Sequence, residues 1–250
     1  MAGLVVVGAG PGIGQSVALR FAREGMPVTL IARTATTLQR THRALEPTGV
    51  PVLTVQADSA TAHELRTALD LSVAHHGPPD AVLYNAAWIR RDRLGELSAD
   101  DHFAAWSVNV LGAVTTASHV IPLMSVNGGG SFMVTGGMPQ PDPHFVSLSL
   151  GKAGVRALVA MLAAEHRRDG IHAATVTVGG PVAPGGDFDP DDIAEHFWRL
   201  HGETPDQWTL EVVHDGDDRE GRGWAGRSPA EPSRAEAHHH ALLETSSTES

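Results

Sequence analysis

The sequence predicts an α/β protein built on a single doubly wound parallel sheet with helices on both faces. Three observations support this prediction. Short apolar segments rich in β-branched residues alternate with longer segments that have helical periodicity. Clusters of Gly and Pro separate the two kinds of segment. A glycine-rich turn joins the first predicted strand, residues 4–7, to the first predicted helix.

The glycine-rich turn has the spacing Gly-x-x-x-Gly-x-Gly, with a buried strand before it and an amphipathic helix after it. Such a turn lets a pyrophosphate approach bare backbone N–H groups at the positive end of a helix. A plain strand-to-helix turn is the alternative. We predict a nucleotide site that includes Gly8, Pro11, Gly12, Ile13 and Gly14.

The first half of the chain holds four predicted strands. Apolar runs follow strand 4–7 at 27–32, 50–56 and 80–84. Helices are predicted between them, the second at 34–45 and the third at 62–75. In the third helix, Leu65, Leu69 and Val73 lie on one face at helical spacing.

The second half continues the alternation. A long helix running to about residue 124 is predicted from an apolar face made of Phe103, Trp106, Val110, Val114, Ala117 and Ile121. Strand 131–135 and helix 149–165 follow, the helix with an apolar face of Val155, Leu158, Val159 and Leu162. The last predicted elements are strand 171–178, helix 191–200 and strand 208–213.

Composition changes near the end of the chain. Residues 1–213 are predicted to form the folded domain. Beyond that point Asp, Glu, Arg, Gly, Ser and Pro dominate, and such a segment cannot bury enough apolar surface to order itself. We therefore predict a disordered tail over residues 214–250.

Composition also argues against several function classes. The 250 residues fit one α/β domain, and the 42% hydrophobic content is enough for a sizeable core. The formal net charge of −11 argues against nucleic acid and anionic membranes as partners. We expect no bilayer-spanning stretch and a cytoplasmic protein. The chain has no cysteine for a disulfide or a thiol nucleophile, and its 15 histidines lack metal-ligand spacing, so no metal site is predicted.

The glycine turn and the strand–helix order resemble the short-chain dehydrogenase/reductase family over about residues 3–213. The resemblance implies a Rossmann-type sheet, a nicotinamide cofactor and a small-molecule substrate. It also implies a homodimer or homotetramer, because long helices often pair between subunits in that family. Three segments would form the substrate pocket wall, at 88–94, 138–145 and 182–188.

Several further residues are candidates for cofactor binding. Arg33 ends the second predicted strand, where such folds meet the adenosine ribose, and an arginine suits a 2′-phosphate. NADP is therefore favoured, although Pro11 stands where NADP-preferring relatives often have a basic residue, so NAD remains open. The resemblance implies that Asp58 holds the adenine amino group. Asn85 and Ala86 match the family pattern Asn-Asn-Ala-Gly.

The catalytic groups match the family only in part. Asn109 and Lys152 correspond to the family's structural–catalytic asparagine and catalytic lysine. In the family this lysine also binds the nicotinamide ribose. The position of the catalytic tyrosine, four residues before the lysine, holds Leu148, and the serine position falls on Gly136. Neither residue carries a hydroxyl group.

Other side chains are possible substitutes for the missing groups. We considered Thr135, Tyr84, His144, Ser147 and Ser149, and the sequence favours none of them as the proton donor. A narrower branch of family-like proteins that lack the tyrosine shares three features with this chain. These are Thr-Gly-Gly at 135–137, Ile-Ala-Glu at 193–195 and a tryptophan-led last strand at 208–213.

Three functions follow from this pattern. The first is an NAD(P)-dependent oxidoreductase with an altered proton source, acting on a small carbonyl, enone or imine. The second is a non-redox cyclase, dehydratase or isomerase on the same scaffold. The third is a catalytically inactive nucleotide-binding protein.

Overall fold

The structure is a computed structural model that describes residues 3–216. Seven strands and seven α-helices alternate through this range. In chain order they are β1 (Leu4–Val7), α1 (Ile13–Arg23), β2 (Val28–Ala32), α2 (Ala35–Leu45), β3 (Val52–Gln56), α3 (Ala62–His76), β4 (Ala81–Tyr84), α4 (Ala99–Trp106), α5 (Gly112–Val126), β5 (Gly130–Thr135), α6 (Val146–His166), β6 (Ile171–Val178), α7 (Pro190–His201) and β7 (Glu211–His214).

All seven strands are parallel and form one sheet in the order β3-β2-β1-β4-β5-β6-β7. Strand β1 pairs with β2 on one side and β4 on the other, so that Val7 lies between Ile31 and Tyr84. The strand order reverses at this point, and a crevice opens at the carboxyl ends of β1 and β4. The predicted doubly wound sheet is confirmed.

Each face of the sheet has its own apolar core. Side chains alternate along β1, so Val5 and Val7 pack with α3, α5 and α6, whereas Leu4 and Val6 pack with α1, α2 and α7. Because both faces are covered, the five inner strands are buried and read as continuous apolar runs, whereas the edge strands β3 and β7 are only partly buried.

The long helix predicted to run to about residue 124 is interrupted. A π-helical turn, Ser107–Leu111, joins α4 to α5. The extra residue in that turn rotates the helix face. Val110, Ala117 and Ile121 are buried as predicted, but Phe103, Trp106 and Val114 are exposed, so that part of the predicted core face is wrong.

The last strand begins three residues later than predicted, at Glu211. Trp208 lies outside the strand because its ring stacks on His172 at 5.0 Å and its indole N–H donates to the carbonyl of Glu203. The two ring nitrogens of His172 lie 3.0 and 2.9 Å from the carbonyl oxygens of Leu200 and Thr209. The prediction of a tryptophan-led strand is therefore wrong: these contacts hold the chain in a loop.

Strand β7 ends at His214, one residue beyond the predicted domain end. The predicted disordered tail, apart from its first three residues, lies outside the described residues.

Within residues 3–216, two helical segments are long and apolar enough to cross a bilayer by length and composition alone, Ala99–Val126 and Val146–Asp169. The expectation that the chain contains no such stretch is therefore wrong. In the most apolar window of each segment, 56% and 44% of the residues are buried inside the protein. Both segments pack against the sheet, which accounts for part of their apolar character.

Candidate active site

The glycine turn brings three backbone segments into contact. A Cβ atom on Gly8 would lie 2.4 Å from the amide nitrogen of Ala86, and one on Gly14 would lie 2.4 Å from the carbonyl oxygen of Gly8. Gly8 also has a φ of 90° and Gly12 a φ of 99°, which disfavour other residues. The end of β1, the start of α1 and the end of β4 can therefore meet only if Gly8 and Gly14 are glycines.

The N-terminus of α1 leaves donors available. Its first i→i−4 hydrogen bond runs from the amide of Ser16 to the carbonyl of Gly12 at 3.0 Å. The amides of Gly12, Ile13 and Gly14 precede that bond and are the helix's N-terminal donors. This arrangement fits a pyrophosphate, because backbone N–H groups and the helix dipole both favour an anion there.

A cavity of about 290 Å³ opens beside this turn, at the reversal of the strand order. Its lining includes Gly8, Pro11, Arg33, Asn85 and Ala86, five of the predicted cofactor residues. Gly12, Ile13 and Gly14 follow Pro11 directly in the chain, and Asp58 stands between the lining residues Ala57 and Ser59. The structure thus places five of the ten predicted cofactor residues in the wall of one crevice, whereas Lys152 is not among its lining residues.

Asn85 ties the turn to the sheet. Its amide nitrogen donates to the carbonyl of Gly8 at 2.9 Å, and its amide oxygen accepts from the hydroxyl of Thr135 at 2.8 Å. Asn85 therefore links the carboxyl ends of β1, β4 and β5. The Thr135 hydroxyl is committed to this bond, which argues against Thr135 as a substitute for the missing serine.

Arg33 lines the crevice, and Asp58 stands between two other lining residues, Ala57 and Ser59. Arg33 has an exposed side chain, and Thr34 after it caps α2 by accepting from the amide of Thr37 at 3.3 Å. A phosphate near Arg33 would thus also face the start of a helix. The carboxylate of Asp58 accepts from the amide of Ala60 at 2.9 Å, which holds the turn after β3.

Lys152 is buried on α6, and its ammonium donates to the backbone carbonyl of Thr135 at 2.7 Å. Burial and, to a smaller extent, the positive charge of Arg156 one helical turn later together lower the pKa of Lys152 to about 8. An ammonium with such a pKa can release a proton near neutral pH.

Side chains at the two glycines after β5 would point in different directions. A Cβ on Gly136 would lie 2.4 Å from the hydroxyl of Thr177, so a side chain there would point into β6. A Cβ on Gly137 would lie 3.6 Å from Cε of Lys152. Gly137, not Gly136, is the position that faces the lysine, and it too carries no hydroxyl.

The side chain of Arg156 binds two backbone carbonyls of the loop after β5. One of its guanidinium nitrogens donates to the carbonyls of Gly137 at 2.8 Å and Met138 at 3.2 Å. Met138 has a φ of 51°, the one positive φ among the described residues other than glycine. Such a strained backbone persists only where its surroundings hold it.

Leu148 is buried one helical turn before Lys152, and the hydroxyls beside it are already bonded. Ser147 donates to the carboxylate of Asp92 at 2.8 Å, and Ser149 accepts from the amide of Asp142 at 3.0 Å. The imidazole of His144 also lies 3.1 Å from the Asp142 carboxylate. Neither serine is therefore placed as an unengaged proton donor.

Tyr84 can be excluded as the proton donor. Its side chain is buried in the core between β4 and α5, and its hydroxyl donates to the carbonyl of Val108. Burial raises the pKa of this phenol. The ring faces Gly112, where a Cβ would overlap the phenol oxygen, so Tyr84 supports the π-helical turn rather than the crevice.

Asn109 lies in the π-helical turn and is buried. Its amide oxygen accepts from the backbone amide of Trp88 at 2.7 Å. A Cβ on Gly151 would lie 2.7 Å from Cβ of Asn109, so the residue before Lys152 packs directly on this asparagine. Asn109 thus connects the segment after β4 to the lysine helix.

Asp92 is a site residue that sequence reasoning missed. It is 1% exposed, and its carboxylate accepts from the amide of Ser147 at 3.0 Å in the first turn of α6. This contact starts α6 at Val146, before the predicted start at 149. Asp92 stands between arginines in a segment predicted to be a pocket wall, and its sequence neighbours do not indicate a partner. Its role at the start of α6 depends on Ser147, which is 55 residues away in the chain.

A model of the short chain dehydrogenase family matches residues 3–184. The protein belongs to this family. It is 28% identical over 184 residues to 1,6-dihydroxycyclohexa-2,4-diene-1-carboxylate dehydrogenase of Acinetobacter baylyi, a match that covers 72% of this chain and 69% of that relative. It is 29% identical over 187 residues to glucose 1-dehydrogenase of Gluconobacter oxydans, with coverages of 72% and 70%.

Solved structures agree with the fold. L-sorbose reductase from Gluconobacter frateurii, complexed with NADPH and L-sorbose, superposes with a TM-score of 0.79 at 24% identity, covering 86% of this chain and 96% of that one. An alcohol dehydrogenase from Thermococcus sibiricus, complexed with 5-hydroxy-NADP, gives 0.77 at 25% identity, with coverages of 85% and 96%. The chain is an oxidoreductase of the short-chain dehydrogenase family.

Substitution of Gly14 by alanine tests the close approach at the turn. We expect Gly14→Ala to lower the free energy of unfolding by about 3 kcal/mol, because its Cβ would overlap a backbone oxygen that cannot move freely. Gly10→Ala is the matched control, since its Cβ would meet only a methyl group of Thr37, at 3.8 Å. Chemical denaturation measures both variants. Equal stability of Gly14→Ala and the unsubstituted protein would contradict the described packing.

Proposed function

We propose that the protein is an NADP-dependent oxidoreductase that reduces a small carbonyl, enone or imine, with Lys152 as the proton source in place of the absent tyrosine. The observation that carries this proposal is the buried ammonium of Lys152 beside Gly137 and one helical turn after Leu148, two residues without a hydroxyl group. When bound, the cofactor supplies the hydride.

The cradle for the cofactor consists of this chain's own groups. The amides of Gly12, Ile13 and Gly14 would bind the pyrophosphate, and the space beside Gly12 is open, because a Cβ there would meet no atom within 4 Å. Arg33 would bind the 2′-phosphate and Asp58 the adenine. The solved relatives named above contain NADPH or an NADP derivative, which supports the same cofactor here.

Lys152 has two tasks in this proposal. One ammonium proton stays on the carbonyl of Thr135 and fixes the side chain. The others can bind the nicotinamide ribose and move to the substrate oxygen or nitrogen that gains negative charge. Asn109 acts indirectly: it packs against Gly151, the residue before Lys152, and so positions the lysine. Electrophilic acceptors such as enones and iminium ions need less acid assistance, which suits a site without a phenol.

Arg33 offers a test of cofactor choice. We expect Arg33→Ala to weaken NADPH binding about tenfold to hundredfold, because a charge-assisted phosphate contact contributes about 1.5–3 kcal/mol. NADH binding should stay unchanged. Arg43→Ala, on the last turn of α2, is the control. Calorimetric titration measures both cofactors, and an equal loss for NADPH and NADH would argue against a 2′-phosphate contact.

The pH dependence of reduction tests Lys152. The protonated ammonium is the acid, so kcat/KM for NADPH-dependent reduction should fall about tenfold per pH unit above the lysine pKa of about 8. Lys152→Met should abolish reduction, whereas Tyr84→Phe should leave the profile unchanged. Steady-state kinetics across about pH 6 to 10 covers this range. A flat profile would exclude Lys152 as the acid, and product formed without NADPH oxidation would favour the non-redox function.

We also propose that the protein is a homodimer or homotetramer. Its support is an apolar surface on α4, the π-helical turn, α5 and α6, made of Phe103, Trp106, Leu111, Val114, Leu150 and Met161. The exposed fractions of Phe103 and Met161 are 66% and 60%. A group of large, exposed apolar side chains is typical of a surface that contacts another protein chain.

A charge at this surface should dissociate the oligomer. We expect Phe103→Glu to reduce the mass measured by light scattering to that of one chain, because a carboxylate would be buried without a partner. Leu71→Glu, at an exposed leucine on α3, should keep the oligomer. An unsubstituted protein that already has the mass of one chain would overturn the proposal.

A further inference from the structure

The segment Trp88–Leu94 is basic in an acidic protein. It reads WIRRDRL and contains three arginines, whereas the whole chain has a formal net charge of −11. Arg90, Arg91 and Arg93 are all exposed, and Asp92, the one carboxylate among them, is buried. The segment begins directly after Ala87, which lines the cofactor crevice. A concentration of positive charge therefore lies at the mouth of the candidate active site.

Asp92 fixes this segment against the lysine helix. Its backbone amide donates to the carbonyl of His144 at 2.9 Å, and its carbonyl accepts from the amide of Val146 at 3.2 Å. Its carboxylate binds both the amide and the hydroxyl of Ser147. Each of the three arginines is therefore one or two residues from Asp92 in the chain, and Asp92 is bonded to Ser147, which directly precedes Leu148. Because the Asp92 carboxylate accepts both hydrogen bonds from Ser147, its negative charge lies at the N-terminus of α6 rather than beside the guanidinium groups.

Nearby carboxylates compensate the arginines only in part. The guanidinium of Arg91 lies 5.8 Å from the ring of Phe145. Hydrogen bonds from His144 and, to a smaller extent, the charge of Arg91 lower the pKa of the Asp142 carboxyl, so Asp142 partly compensates Arg91. Glu96 accepts from the backbone amide of Arg93. Within residues 3–216, no carboxylate lies within 4.0 Å of any of the three guanidinium groups.

Apolar side chains flank the arginines. Ile89 and Leu94 are 72% and 87% exposed, and Trp88 is half-buried beside Asn109. The segment is therefore both basic and apolar, a combination that suits a ligand with one anionic end and an apolar portion.

We propose that the substrate carries an anionic group, a carboxylate or a phosphate, joined by an apolar portion to the carbon that is reduced. Arg90, Arg91 and Arg93 bind the anionic group at the mouth, and Ile89 and Leu94 contact the apolar portion. This inference rests on the proposed reductase function, because it assigns the substrate class of the same site.

Binding of unreactive amphiphiles separates this inference from the chemistry. The NADP⁺-loaded protein is titrated by calorimetry with octanoate, octyl phosphate and the neutral analogue octanamide. We expect both anions to bind about tenfold more tightly than octanamide, and we expect high salt to reduce the difference because exposed charges are screened. The tighter of the two anions identifies carboxylate or phosphate as the preferred group.

Charge reversal tests the arginines directly. Arg90→Glu/Arg93→Glu should remove the preference for anions. Arg66→Glu/Arg168→Glu, which reverses two exposed arginines on α3 and after α6, should keep it. Thermal denaturation checks that both variants are folded. The inference is overturned if the unsubstituted protein binds octanamide as tightly as the anions or binds none of the three. It is also overturned if the preference survives in Arg90→Glu/Arg93→Glu.

The reductase function is measured separately, as NADPH oxidation with neutral enones, imines and ketones. Oxidation without any preference for anions would overturn the substrate class alone. A preference for anions without oxidation of NADPH by neutral or anionic acceptors would overturn the reductase function and leave the anion site.

Discussion

The close backbone contact between Gly8, Gly14 and Ala86 is the constraint on which the site depends. Two strand ends and a helix start meet with no side chain between them, and the side chain of Asn85 bonds across the junction. Because Thr135 bonds to the same asparagine, the end of β5 is held in register with the glycine turn. The lysine then completes the arrangement by binding the backbone carbonyl of Thr135. The crevice and Lys152 are therefore parts of one hydrogen-bonded network.

Much of the fold and of the crevice could be predicted from the sequence, because both depend on local patterns. Buried parallel strands read as apolar runs, and the glycine spacing reports where backbone must approach backbone. Features set by distant contacts could not be predicted. The π-helical turn divides a helix that the sequence predicts as continuous, and Phe103 and Trp106, which precede the turn, are exposed. The stacking of Trp208 on His172 accompanies a last strand that is shorter than predicted.

The same distinction applies within the candidate site. Sequence spacing located Lys152 and Asn109, but it assigned the serine position to Gly136 because side-chain direction at a strand end depends on the neighbouring strand. The threonines of β6 close that side, so Gly137 is the residue beside the lysine. The role of Asp92 was hidden for a related reason: its partner, the first turn of α6, is distant in sequence.

The loop that carries Met138 has one more geometric property. Its peptide from Gly137 to Met138 turns the carbonyl oxygen toward Arg156. None of the peptide bonds among the described residues is cis, and in a trans peptide the N–H points opposite to the C=O. The amide of Met138 is therefore directed away from the guanidinium that holds the loop. Because this N–H belongs to the main chain, every standard residue except proline would keep it at position 138.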